Sequence, residues 1–197
     1  MKRIVTAAIL VVCFAGATTT TAGAVPKGTK VQLYQGNLSF PIDMAWVSGT
    51  KKIFFTEKGG RIRVMVGKDL LGRPCKTLNV NSAGERGLLG IVLHPNFDAN
   101  HYLYVYYTNA SPLEHRVTRY TVKKNRCRNP KQIVTGLNAS SSGYHNGGQL
   151  EFAGGKLFVS TGEAHSPANA QDIDSRLGKV LRYNPNGSIP KGNPFSS

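Results

Sequence analysis

Two short stretches of this 197-residue chain set chemically capable side chains among glycines. One is Ser142-Gly143-Tyr144-His145-Asn146-Gly147-Gly148-Gln149-Leu150. A neutral imidazole at His145 can take up a proton near neutral pH, and the glycines around it let a ligand approach the backbone. The other is Gly84-Glu85-Arg86-Gly87, which runs directly into Leu88-Leu89-Gly90-Ile91-Val92-Leu93. A charged pair flanked by glycine at the start of a buried strand can present Glu85 or Arg86 at the mouth of a cleft. The same residues also read as a turn before a core strand, and a lone histidine also reads as a surface or hydrogen-bonded residue. His94, His101, His115 and His165 carry only that plainer reading. Glu163, Asp172 and Asp174 fall in a stretch that reads as a solvated loop.

The elements that must position these loops are strands. Helical periodicity is almost absent, and short apolar runs alternate with Gly, Pro, Asn and Ser. Lys52–Glu57, Tyr102–Tyr107 and Lys156–Thr161 resemble one another. Aligning Ile53, Leu103 and Leu157 gives a repeat of about fifty residues, the size of a propeller blade. Each copy follows another apolar run (Ile42–Val47, Leu88–Leu93, Gln149–Phe152) and precedes a basic one (Arg61–Val66, Arg116–Val122, Lys179–Tyr183). Strands buried between neighbouring blades read as continuous apolar runs, as Leu88–Leu93 does. The fold class is therefore all-β, a β-propeller with about three blades in this chain, against the rival of a sandwich of short strands. Three blades leave sheet edges open, so the chain is expected to be a truncated piece or one that needs a partner.

Residues 1–24 read as a secretory signal: Lys2 and Arg3, an apolar stretch from Ile4 to Gly16, and the A-x-A pattern Ala22-Gly23-Ala24. Residues 25–197 form the partial propeller domain, and no later stretch is long and apolar enough to span a bilayer. A secreted or periplasmic location is expected. Lys and Arg number 25 against 10 Asp and Glu, a formal charge of +15. The cations are spread along the sequence, and export argues against a nucleic-acid partner. Cys75 and Cys127 remain after the signal as an even pair in an oxidising compartment, either bridged or as two free thiols. Asn37, Asn109 and Asn138 open N-x-S triplets, glycan acceptors only in a eukaryotic host.

Gly84–Phe97, Tyr144–Phe152 and Leu177–Phe195 together resemble the soluble quinoprotein glucose/sorbosone dehydrogenases over about Leu38 to Phe195. That resemblance implies a six-bladed propeller using pyrroloquinoline quinone (PQQ) and calcium, an aldose sugar as substrate and an external electron acceptor. It implies His145 as the general base that removes the C1 hydroxyl proton while hydride passes to PQQ. It places Glu85, Arg86 and Tyr144 beside the cofactor. Glucose-oxidising members commonly carry Gln at the position of Glu85, and some members carry an acid at the position of Tyr144. The family's remaining cofactor cations and its calcium ligands lie in its second half, in segments this chain does not contain, so no metal ligand is assigned here. The isolated chain is expected to bind PQQ weakly or not at all. The alternative reading is a non-catalytic extracellular propeller that binds other proteins.

Overall fold

The computed structural model describes residues 26–195, so the expected signal lies outside the described residues. Residues 26–33 carry one turn, in which Thr29 donates to the Pro26 carbonyl from its N–H at 3.0 Å and its hydroxyl at 2.6 Å. The remainder forms three antiparallel sheets. The first comprises β1 (Pro41–Trp46), β2 (Lys52–Glu57), β3 (Arg61–Val66), β4 (Asp69–Leu70) and β5 (Lys76–Thr77), with β5 paired to β3. In the second, β6 (Leu88–Leu93) is followed by the single turn α1 (Phe97–Asn100), then β7 (Tyr102–Asn109), β8 (Glu114–Lys123) and β9 (Arg126–Asn138), in spatial order β6-β7-β8-β9. The third orders β10 (Gly147–Ala153), β11 (Lys156–Thr161) and β12 (Val180–Tyr183), with the turn α2 (Ala168–Gln171) between the last two.

Each sheet thus starts with one of the apolar runs read from the sequence. Those first strands are neighbours, β1 against β6 and β6 against β10. The middle sheet is buried on both sides, which explains the unbroken apolar character of β7. Leu103, Val105 and Tyr107 face the first sheet, where they meet Phe54, Ile62 and Val64. Tyr104 and Tyr106 face the third, against Leu150, Leu157 and Val159. The Tyr104 and Tyr106 hydroxyls donate to the carbonyls of Pro185 and Asn146, at 2.9 and 2.8 Å, so these buried polar tips are satisfied.

The first strands do not all share that burial. Ile42, Met44 and Trp46 of β1 are exposed. Among the described residues, the first sheet has a neighbouring sheet on only one face. Its other face buries Ile53, Phe55 and Met65 under Leu38 and Leu70. Cys75 and Cys127 form a disulfide with Cα atoms 5.1 Å apart, tying the segment before β5 to β9 across 52 residues. In the chain-entropy account, closing a loop of that size stabilises by ~3–4 kcal/mol.

Candidate active site

The two glycine-rich loops meet in space. A Cβ on Gly84 would lie 2.8 Å from the Gly143 carbonyl oxygen, and Gly84 has φ +59°, so glycine is required where the loops touch. The Glu85 N–H and the Asn146 side-chain amide both donate to that carbonyl, at 2.9 and 3.0 Å. The Glu85 carboxylate in turn accepts the His145 N–H at 2.9 Å. His145, Ala164 and His165 all adopt left-handed backbone, with φ of 57°, 57° and 60°. Such conformers are costly for non-glycine residues and gather at functional sites.

His145 has a partner in a stretch that reads from sequence as loop. Glu163, just past β11, holds the His145 Nδ1 through its carboxylate. The approach depends on Gly162: a Cβ there would sit 1.8 Å from the His145 carbonyl oxygen. With Nδ1–H given to Glu163, the other ring nitrogen, Nε2, makes no hydrogen bond among the described residues. The hydrogen bond donated to Glu163 raises the His145 pKa above its ordinary value; desolvation opposes this, and the charges of Glu163 and Glu85 add to it. The same contact holds the Glu163 carboxyl below its ordinary value. A half-exposed imidazole oriented by a carboxylate, with one nitrogen free, is the arrangement of a general base. The acid some family members carry at the Tyr144 position is absent here, and Glu163 orients the ring from elsewhere.

His165 completes the surroundings. Its ring centroid lies 5.1 Å from that of His145 and 6.2 Å from that of the exposed Tyr144, and its Nδ1 is 3.1 Å from Ser142 Oγ. Arg86 behaves differently from the expectation of a charge at the cleft mouth. Only 7% exposed, it donates Nε to the Ala83 carbonyl at 3.2 Å and Nη1 to the Ser140 carbonyl at 3.1 Å. It braces the two loops from behind and does not pair with Glu85. Beneath it lies the buried His115, hydrogen-bonded to Thr108 at 3.1 Å. Burial and the charge of Arg86 push the His115 pKa down to about 4.

Beside these loops runs a cleft of about 250 Å³ lined by Asp43, Glu85, Asn146 and the Gly147–Gly148 backbone, among others. Asn146 is 3% exposed, and its buried Oδ1 has no partner among the described residues. The carboxyl groups of Asp43 and Glu85 give the cleft acceptors, which suits a ligand rich in hydroxyl donors. No cation lines this cleft, so a tricarboxylate such as PQQ would need cations from beyond it. Among the described residues, no group of three or more His, Cys, Asp or Glu is arranged to hold a metal ion. No helix among them is long and apolar enough to cross a membrane.

Comparison with known proteins agrees with this architecture. The aldose sugar dehydrogenase YliI of Escherichia coli K12 is 29% identical over 179 residues, covering 87% of this chain and 48% of that protein. A glucose-dehydrogenase-type oxidoreductase from Thermus thermophilus superposes with a TM-score of 0.79 at 35% identity, covering 84% of this chain and 50% of that one. The PQQ-bound aldose sugar dehydrogenase of Streptomyces coelicolor gives a TM-score of 0.76 at 28% identity, again over 84% and 50%. The chain spans about half the length of these relatives. Residues 38–197, nearly all that is described, match the Glucose / Sorbosone dehydrogenase family, and the chain belongs to that family.

Proposed function

We propose that this protein is an exported, PQQ-dependent oxidoreductase acting on the C1 hydroxyl of aldose sugars, with calcium and an external electron acceptor. The observation that carries the proposal is the His145–Glu163 pair, which leaves Nε2 without a hydrogen-bond partner among the described residues, one residue before Asn146 of the cleft. PQQ, when bound, supplies the hydride acceptor. This chain's residues hold the sugar and move its proton. Glu163 fixes the tautomer, Nε2 takes the hydroxyl proton, and Glu163 stabilises the imidazolium that results. Glu85 and Asp43 line the cleft as acceptors for sugar hydroxyls. The PQQ-bound relative from Streptomyces coelicolor supports the choice of cofactor. The cations its carboxylates need are proposed to come from segments of the family outside this chain. Export rests on the leader-like first residues, and the Cys75–Cys127 disulfide supports an oxidising compartment.

The test is dye reduction by a protein that carries these residues and spans the family's full length, given PQQ, calcium and an aldose. His145→Ala should lower turnover at least ~10²-fold, the scale of a lost general base. Turnover that survives the substitution overturns the assignment.

A further inference from the structure

A second cleft, at the opposite end of the middle sheet, is independent of the proposed reaction. β8 begins beside the His115–Arg86 cluster under the His145 loop and ends nine residues later at Lys123. At about 3.3 Å per residue the strand separates its two ends by roughly 30 Å. Next to its far end, a cleft of about 340 Å³ surrounds the Cys75–Cys127 disulfide. Arg73 and Lys76 line it from one segment, Arg126 and Arg128 from the other, and no acidic residue lines it.

The sequence shows these cations as two scattered groups about fifty residues apart; folding gathers them. The β5 strand, the disulfide and the Cys127 N–H donated to the Cys75 carbonyl at 3.0 Å hold the two segments together. None of the four cations forms a salt bridge among the described residues, although other arginines of this chain find Glu57 and Glu114. Arg73, Lys76 and Arg128 are exposed, whereas Arg126 is half-buried and anchored by its guanidinium to the Pro74 carbonyl. Burial, together with repulsion from Arg73 and Arg128, lowers the Arg126 pKa. Packing does not require four like charges here, and their mutual repulsion opposes the fold. An anion of matching charge would relieve it, and guanidinium forks suit phosphate oxygens in particular.

We propose that this cleft binds a small polyphosphate-class anion, a ligand with two or more adjacent phosphate groups. The volume falls within the range of small-molecule sites, and the disulfide makes the floor rigid before binding.

Sodium tripolyphosphate, titrated calorimetrically into the oxidised chain at low salt, is the test. Saturable one-to-one binding that weakens steeply with added NaCl is expected. R73Q/R128Q removes two exposed charges and should weaken binding at least ~10-fold, equivalent to about 1.4 kcal/mol. K68Q/K156Q removes the same net charge outside the cleft and should leave affinity within about twofold, with circular dichroism checking the fold of both variants. Equal losses in the two variants would show that net charge alone attracts the anion and would overturn the site. So would the absence of saturable binding, or capture by phosphatidylglycerol vesicles that tripolyphosphate does not compete away.

Discussion

Gly162→Ala should disable the proposed base without touching it. The new methyl carbon would be built 1.8 Å from the His145 carbonyl oxygen, 2.3 Å from the His145 carbonyl carbon and 2.9 Å from the Asn146 nitrogen. All three atoms are backbone, so no side chain can rotate away. Ordinary contact begins near 3.4 Å. The His145 segment or the end of β11 must therefore retreat on the order of 1.5 Å, and a misplacement of about 1 Å is worth ~10²-fold in a positioned reaction. The hydrogen bond donated to Glu163, the largest cause of the raised His145 pKa, should be lost with the retreat. Proton NMR of the histidine ring resonances in this chain reads that directly. The His145 midpoint should fall toward the ordinary imidazole value, and turnover in a full-length protein should drop ~10²-fold. Gly59→Ala is the control, because a Cβ there meets nothing within 4 Å and the backbone is not left-handed. It should leave both readouts unchanged. A Gly162→Ala protein with unaltered His145 titration and full turnover would refute the claim that this close approach sets the geometry.

Glu163→Gln keeps the side-chain shape and removes the charge. A raised pKa means His145 becomes an unprotonated base only at higher pH, so the acidic limb of the kcat/KM profile should move to lower pH in the variant while its plateau falls. By linkage, the pair stabilises the fold fully between the ordinary carboxyl and histidine pKa values; that contribution is lost as pH rises through the raised His145 value or falls through the lowered Glu163 value, so Glu163→Gln should cost stability chiefly in that mildly acidic window. His115 has the opposite sign. Its pKa falls from 6.5 to about 4, so the unfolded chain binds the extra proton and stability should decline as pH drops through that window. At 1.36 kcal/mol per unit the full decline is about 3 kcal/mol, and His115→Phe should flatten it in urea melts taken between those pH values. Replacing Cys75 and Cys127 together by serine should lower unfolding stability by ~3–4 kcal/mol with little change in the folded circular dichroism spectrum.

The strands are legible in the sequence where burial on both faces leaves an uninterrupted apolar run. β7 is the plainest case, since its odd and even residues serve two different cores. β9 escapes such a reading because it is an outer strand: Arg128 to Gln132 are exposed and include Pro130, and only Cys127, Ile133, Val134 and Leu137 are buried. His145 and Glu85 are legible through their glycines, and the structure joins them by one hydrogen bond. Glu163 is not, because it reaches His145 through the pairing of Gly147 with Thr161, a contact between strands that local sequence does not encode. The sequence leaves open whether Glu85 or Arg86 faces the cleft; Glu85 lines it, and Arg86 turns inward, where the Ala83 and Ser140 carbonyls accept its guanidinium. The disulfide cleft is invisible for a related reason, as no local pattern connects Arg73 to Arg128.

The placement of His145 is over-determined, and that is the physical basis for reading it as functional. A left-handed backbone costs a non-glycine residue roughly 1–2 kcal/mol. Nothing in the packing of the sheets demands it, because His145 lies outside β10 and its side chain is half exposed. Three anchors from separate parts of the chain hold it there: Glu85 before β6, Glu163 after β11, and the Gly162 backbone against its carbonyl. A loop that served only to connect β9 to β10 would relax to an ordinary conformation and leave Glu163 to solvent. The anchors instead fix its backbone N–H, its carbonyl and Nδ1, and leave Nε2 without a hydrogen-bond partner among the described residues. Removing any one anchor should therefore shift the His145 titration, and removing Glu85 and Glu163 together should shift it by less than the sum of the two single changes, because either loss already lets the ring move.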